Sequence, residues 1–527
     1  MKTKSKIITA LFSGVLILTG CKETVTPNPD ALVVDLNTTY QTIDNFGAAG
    51  CWFGEGIGKY WPEEKKERIA ELLFSKEMDA SGDPLGIGLS AWRFNIGAGT
   101  AEQGNASGIS DFRKRVECFQ NPDGTYDWSK QQGYQWLLKK ASDYGVENLI
   151  AFSNSAPVQF TRNGLGYRTE KDYKTNLKEE HFNDFADFLG EVLVHFKEEG
   201  LPFDYISPIN EPQWDWYGEP GKAKQEGSPW SNSDIYRVNS LLDSTLTARG
   251  LETKILTTEA AQLDYLYKGG GQANKQIQTL FGEVSEFNIR KLKHVPDLIV
   301  GHSYFTDAPD ERMIDIRQEV AKHAAEEHIT FWQSEYSMLA DGFREGTKEK
   351  RTAFDCALFL AKLIHFDLTE ANAAAWQFWN AFEPGPADFD TRYYMIALNP
   401  NETHTDGDFT PVKTLWALGH YSRFIRPGMK RISVESGLTP EKSAQEFMTS
   451  AYVDEQSGEM VVVAINYTDV PKNFSLNTKE SGYDFGRQYL STADPDINMA
   501  LQPEQVNAIQ GVVLPPRSIS TFVFEKD

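Results

Sequence analysis

A chain of 527 residues, 40% hydrophobic and 24% charged, can bury a large core, which excludes a disordered, collagen-like or coiled-coil protein. Its 52 basic and 75 acidic residues leave a formal net charge of −23, which repels phosphate backbones and argues against a nucleic-acid partner. Besides Cys21, the three widely spaced cysteines Cys51, Cys118 and Cys356 make neither a disulfide framework nor a zinc site.

Residues 1–20 read as a lipoprotein signal peptide. Lys2, Lys4 and Lys6 form a positive start, and Ile7 to Leu18 is apolar but too short to span a bilayer comfortably. The run ends Leu18-Thr19-Gly20-Cys21, where small residues before a cysteine predict lipidation of Cys21. This gives an exported bacterial lipoprotein, in the periplasm or at the cell surface, touching the membrane through the anchor alone. Residues 21–31 form a Pro-rich tether. The run from Leu32 to Leu36, within residues 32–40, is a strand that could pair with the C-terminal part of the chain.

From Gln41 onward, short apolar runs alternate with amphipathic stretches. Strands are expected at Thr42–Ala48, Leu89–Ile96, Asn148–Ser153, Tyr205–Asn210, Lys254–Thr258, Leu298–Ser303, Ile329–Ser334 and Ala373–Trp379. Helical spacing fills the intervals at Glu63–Ser75, Trp128–Tyr144, His181–Glu199, Ser233–Arg249, Glu311–Glu326 and Glu349–Phe366. Eight strands alternating with helices predict a (β/α)8 barrel over residues 41–425. A doubly wound open sheet would also alternate, but no GxGxxG follows the first strand. No long helical pattern follows His420, and residues 426–527 hold short strand-like runs, VVVAINY at 461–467 the strongest. An antiparallel β-sandwich appended to the barrel follows.

A barrel builds its active site at the carboxyl ends of its strands. The fourth run ends Ile209-Asn210-Glu211-Pro212, and the seventh ends Ser334-Glu335-Tyr336. Two carboxylates converging over one barrel mouth suit glycoside hydrolysis: one protonates the poor leaving oxygen, and the other meets the electron-poor anomeric carbon. An ionised Glu335 should raise the pKa of Glu211 by like-charge repulsion and keep it protonated. Such chemistry needs no metal and no cofactor. Among the nine histidines there is no HExxH. Glu259 and Glu55, also after strands, read as rim contacts or surface groups.

Further segments carry a resemblance. Phe46-Gly47-Ala48-Ala49-Gly50, Trp92-Arg93-Phe94-Asn95, Asn154-Ser155-Ala156-Pro157 and Tyr421-Ser422-Arg423-Phe424-Ile425-Arg426-Pro427-Gly428 resemble glycoside hydrolase family 30. The resemblance implies a (β/α)8 barrel with a side β-sandwich completed by N-terminal residues, and retention through a covalent glycosyl-enzyme. It implies Glu211 as acid/base, Glu335 as nucleophile, Asn210 as donor to the sugar 2-hydroxyl and Arg93 as the group that orients and ionises Glu335. Tyr304 would support Glu335, and Trp376 or Trp379 would floor the reacting sugar; both cannot point inward from a regular strand. Asn154 and Trp214 complete the expected substrate contacts.

Many family members carry a tryptophan after the third-strand proline, where this chain has Pro157-Val158-Gln159-Phe160. With Arg162-Asn163-Gly164, this is similar to the endo-β-1,6-galactanase branch, which makes β-1,6-galactan the leading substrate of a monomeric enzyme. An exo-acting β-glucosidase, xylosidase or fucosidase is the alternative, turning on whether loops Gly218–Asn232 and Gly269–Gln276 close the cleft. A non-catalytic glycan-binding lipoprotein is the other, but binding alone requires neither glutamate.

Overall fold

The computed structural model describes residues 31–341, 350–478 and 482–526. The expected signal peptide, Cys21 and nearly all of the tether lie outside these residues. Among the described residues no helix is long and apolar enough to cross a membrane.

The chain opens with β1 (Leu32–Thr42), followed by β2 (Asn45–Ala49), β3 (Ala91–Asn95), β4 (Asn148–Phe152), β5 (Tyr205–Ser207), β6 (Lys254–Ile255), β7 (Leu298–His302), β8 (Thr330–Tyr336) and β9 (Ala375–Phe378). Strands β2 to β9 form one parallel sheet in the order β6-β5-β4-β3-β2-β9-β8-β7. The gap between β6 and β7 is closed just beyond β6. Val300 N donates to Thr257 O at 2.9 Å, and His302 N donates to Ala260 O at 2.8 Å. The result is the (β/α)8 barrel read from the alternation.

The strands are largely apolar because most of their residues are buried on both faces. Ala91, Ile150, Leu298, Val300, Trp332 and Ala375 fill the barrel interior, while Trp92, Phe94, Ile299 and Phe331 pack outward under the helices. Several strands end sooner than expected. β5 stops at Ser207 and β6 at Ile255, so residues 208–211 and 256–259 are loop. β8 instead runs on to Tyr336. Helices Phe53–Tyr60 and Lys413–Ser422 were not anticipated. The first carries three glycines in eight residues, and the second lies at the end of the barrel segment, after the last helix expected there.

The C-terminal sheet has the order Leu476–Thr478, β1, Lys430–Glu435, Phe447–Val453, Met460–Asn466, Ser518–Phe524, Phe485–Ser491, Ala500–Leu501. β1 lies antiparallel to Lys430–Glu435, pairing Val33 with Glu435. The opposing layer is thinner than a full second sheet: a two-stranded ribbon of Lys472–Phe474 and Val512–Leu514. Strand Met460–Asn466 shows why. Val461, Val463 and Ile465 face the barrel side and join its core. Met460, Val462 and Ala464 face the ribbon and form a second core. The helix Ala353–Thr369, with 15 of its 17 residues buried, is caught between the barrel and this sheet. The sheet therefore stabilises the barrel directly, through a shared apolar layer.

Candidate active site

Side chains on alternate strand residues share a face, and inward parity assembles the site. In β3, Ala91 lines the interior, so Arg93 two residues on also points inward, fully buried. In β7, Leu298 and Val300 lead the same way to His302. In β8, Trp332 is interior, and simple alternation would aim Ser334 inward but Glu335 outward. A bulge intervenes: Gly301 pairs with Gln333 and His302 with Glu335, leaving Ser334 as an extra residue. Both Ser334 and Glu335 therefore reach the interior. A bulge re-aiming a side chain at a barrel rim is a recurrent device.

Glu335 is held from two sides. Arg93 donates to its Oε2 at 2.7 Å, and the Tyr304 hydroxyl donates to Oε1 at 3.1 Å. Glu211 sits beyond β5 with φ +45°, in the left-handed region. Its backbone N donates to Glu259 O at 2.9 Å, and that tie holds a conformation a non-glycine residue adopts at a cost of order 1–3 kcal/mol. Oxygens of Glu211 and Glu335 and a nitrogen of His302 all lie within 4.8 Å of one another.

Two residues are more central than their sequence suggested. Glu259 is neither rim nor surface but completely buried. It faces Arg93 at 3.4 Å and His302 Nε2 at 3.1 Å, and accepts from the Ser207 and Ser334 hydroxyls. His302, passed over inside an apolar run, bridges Glu259 to Glu211, its Nδ1 lying 3.1 Å from Glu211 Oε1. Burial alone would depress the imidazole. Glu335, Glu211 and Glu259 outweigh it and raise the pKa to about 10. Burial likewise opposes ionisation of Glu259, but Arg93 and His302 bring its carboxyl down to about 2.

The pocket thus holds two cations, Arg93 and His302. Glu259 and Glu335 match them in number, so a third anion would be unbalanced in a dry interior. The pKa of Glu211 is accordingly raised. Burial is the largest cause, with the expected repulsion from Glu335 a smaller one, and contacts with His302 and Trp214 oppose both. One carboxyl that holds its proton more tightly than usual faces another held by cationic and hydroxyl donors, an arrangement able to donate a proton and attack a carbon across one small gap.

The other expected contacts separate. Asn210 donates to Asn154 Oδ1 at 3.0 Å, leaving Asn210 Oδ1 and Asn154 Nδ2 without partners among the described residues. Trp214 is half-buried on the rim, edge-on to Tyr265 and Phe305. Trp376 does not face the cleft. It points outward from β9, its indole donating to Asp367 at 2.8 Å on the helix Ala353–Thr369, because inward parity falls on Ala375 and Gln377, and Gln377 bonds Asn45. Trp379, just past the strand, meets Phe152 and Trp52 edge-on, and Phe152 lies under the Arg93 guanidinium. Glu55 accepts from Gly133 N and Tyr134 N and caps helix Gln132–Asp143. Glu226, in the loop 218–231, accepts from Thr100 Oγ1 and Ala98 N and straps that loop across the mouth of β3. Burial raises its pKa to about 8.

A family model for O-glycosyl hydrolase family 30 matches residues 29–390. The chain belongs to O-glycosyl hydrolase family 30. This family 30 glycosyl hydrolase is 36% identical to a conserved exported protein from Bacteroides fragilis, covering 94% of this chain and 100% of that one with a TM-score of 0.86. The catalytic domain of a family 30 xylanase C from Talaromyces cellulolyticus shares its fold, at 22% identity and TM-score 0.66 over 94% of this chain and 100% of that one. An exo-β-1,6-galactobiohydrolase from Bifidobacterium longum subsp. longum is 21% identical over 73% of this chain. This chain spans only 29% of that relative's length.

Proposed function

We propose that this family 30 glycosyl hydrolase cleaves β-linked glycans with retention of configuration, with Glu335 as nucleophile and Glu211 as acid/base. The observation that carries this reading is the approach of the two carboxyls, with reactive atoms within 4.8 Å. Retaining pairs stand about 5–5.5 Å apart, whereas inverting pairs need about 6.5–9.5 Å to admit a water.

In the first step a Glu335 oxygen bonds to the anomeric carbon as the glycosidic C–O bond breaks, and Glu211 gives its proton to the departing oxygen. Arg93 and Tyr304 hold Glu335 for that attack. Esterification removes the charge on Glu335, one cause of the raised Glu211 pKa. Glu211 then remains ionised beside the charged His302 and can take a proton from the water that attacks the glycosyl ester. Asn210 and Asn154 are read as the contacts to sugar hydroxyls that the family resemblance implies, and Trp379 as an apolar wall. The decisive experiment follows the first-released product by NMR. Retained β-configuration is expected, and inversion would remove the covalent mechanism.

For substrate, the reading is an endo-acting hydrolase of β-1,6-galactan, supported by the Asn154-Ser155-Ala156-Pro157 turn and Arg162-Asn163-Gly164. Exo action on the same linkage is the second reading, favoured by the relative named an exo-β-1,6-galactobiohydrolase. Incubation with a panel of β-glycans, with product sizes read over time, separates them: a ladder of oligomers for endo attack, one short product for exo attack. Export as a lipoprotein is supported by the Leu18-Thr19-Gly20-Cys21 signal and by the exported relative. Metabolic labelling with a fatty acid, lost on Cys21→Ala, tests it.

A further inference from the structure

Strand β7 ends at His302, and its pairing with β8 ends there too. Tyr304, whose hydroxyl reaches Glu335 Oε1, lies beyond the ladder. It sits in a short turn, Ser303-Tyr304-Phe305-Thr306, closed where Ser303 O accepts from Thr306 N at 3.3 Å and from Thr306 Oγ1 at 2.8 Å. Phe305 takes φ +57° in that turn, a left-handed conformation that a bulky residue keeps only when its surroundings impose it.

Both ends of the turn are gripped from outside the barrel. Alternation sends Ser303 outward between the inward His302 and Tyr304. Its hydroxyl lies 3.1 Å from each carboxylate oxygen of Asp367. At the other end, Thr306 O accepts from Arg317 Nη1 at 2.8 Å. Asp367 and Arg317 are themselves paired, with Arg317 Nε 2.8 Å from Asp367 Oδ1 and both side chains fully buried. They come from different helices, Arg317 from Asp310–Glu326 and Asp367 from Ala353–Thr369. Each is braced in turn. The Trp376 indole of β9 donates to Asp367 Oδ2, and Arg317 Nη1 also donates to Met313 O at 3.0 Å within its own helix.

Helix stability does not account for this pair. Asp367 stands in the last turn of its helix, where a carboxylate faces the negative end of the dipole. A buried ion pair is also often no more stabilising than apolar residues of the same volume. Its hydrogen bonds instead converge on the two ends of the one turn that carries Tyr304.

We propose that Arg317 and Asp367 are positioning residues for the hydrolysis, clamping the turn 303–306 so that the Tyr304 hydroxyl stays on Glu335. The inference rests on the reading of Glu335 as nucleophile. It also gives Trp376, which does not face the cleft, a part in the site as the brace behind Asp367.

The test compares Asp367→Asn, Tyr304→Phe and the double variant on the β-glycan that the wild type cleaves fastest. Asp367→Asn should lower kcat about tenfold with KM unmoved, since misplacing a group beside the reacting atoms slows the chemical step rather than binding. Added to Tyr304→Phe, the same change should cost less than about twofold, because the clamp then has no hydroxyl to place. A crystal structure of the Asp367→Asn protein gives a readout independent of turnover: the Tyr304 hydroxyl should leave hydrogen-bond distance of Glu335. If Asp367→Asn fails to fold, Ser303→Ala, which removes a single hydroxyl, carries both comparisons. Full additivity in the cycle, a lower melting temperature at unchanged kcat, or Tyr304 unmoved in the crystal would each overturn the proposal. An inactive wild type would count against the hydrolase reading instead, and the crystallographic comparison would still decide the clamp.

Discussion

Glu335→Gln keeps the shape of the nucleophile but removes its charge. Turnover of every glycoside should fall by several orders of magnitude while the protein still folds cooperatively, as read by parallel kinetics and thermal unfolding. Glu211→Ala should keep glycosylation by substrates with activated aryl leaving groups, which need no proton, and azide should speed the stalled second half. Failure of azide to do so would assign the proton to another group. Glu259→Gln probes the support beneath both. It leaves Arg93 and His302 short of a buried carboxylate, a change that typically costs about 3–5 kcal/mol. The pH sign is fixed: a carboxyl at about 2 in the fold, against an ordinary value of 4.5, stabilises fully above 4.5 and loses that contribution as pH falls through about 2. Wild-type melting temperatures should therefore drop in acid through a component the Gln variant lacks. Glu211 was legible because a polar residue ending an apolar run stands out, and Arg93 through the resemblance of Trp92-Arg93-Phe94-Asn95 to the family. His302 was not, since a lone histidine in such a run reads as packing. Glu259 was ambiguous because β6 is two residues long and gave no register to place it.

Alternation tells that Trp376 and Trp379 cannot share a face but not which face is inward, and so the two could be separated only once Ala375 and Gln377 were seen inside. The bulge at Ser334 has no sequence signature at all; without it Glu335 would face the helices. The loop strap through Glu226 makes a prediction at this scale. A glutamic acid raised to about 8 by burial binds its proton more tightly in the fold than in the unfolded chain. Stability should therefore decline as pH rises from 4.5 through about 8, and Glu226→Gln should flatten that decline, matching wild type near pH 5 and exceeding it near pH 9 in denaturant titrations. On strand Met460–Asn466, Ile465→Ala should cost about 2–5 kcal/mol by chemical denaturation, as buried isoleucines do. A run that is apolar at every position was readable as a strand but not as one wedged between two cores.

The whole molecule behaves as one packing unit rather than a catalytic domain with an accessory. Helix Ala353–Thr369 has no solvent face, so a chain ended after Gly428 would bare its outer side along with Tyr421 and Ile425. Such a truncation is expected to aggregate, measured as lost soluble yield and a void-volume peak on gel filtration, where an independent barrel would elute as a monomer. The alternation of strands and helices made the barrel and its sheet partner legible. The shared layer between them was not, because burial on two sides leaves no polar stripe to read.

The pairing of Val33 with Glu435 also sets a timetable. During synthesis β1 leaves the ribosome long before any neighbour that can satisfy its amides exists, and the barrel must be assembled while that edge waits. Final closure belongs to Ser518–Phe524, which slots between two strands made earlier. A strand made late thus completes a sheet whose edge was made early, and a chain halted between the two would leave an open, sticky edge on each side of the missing strand.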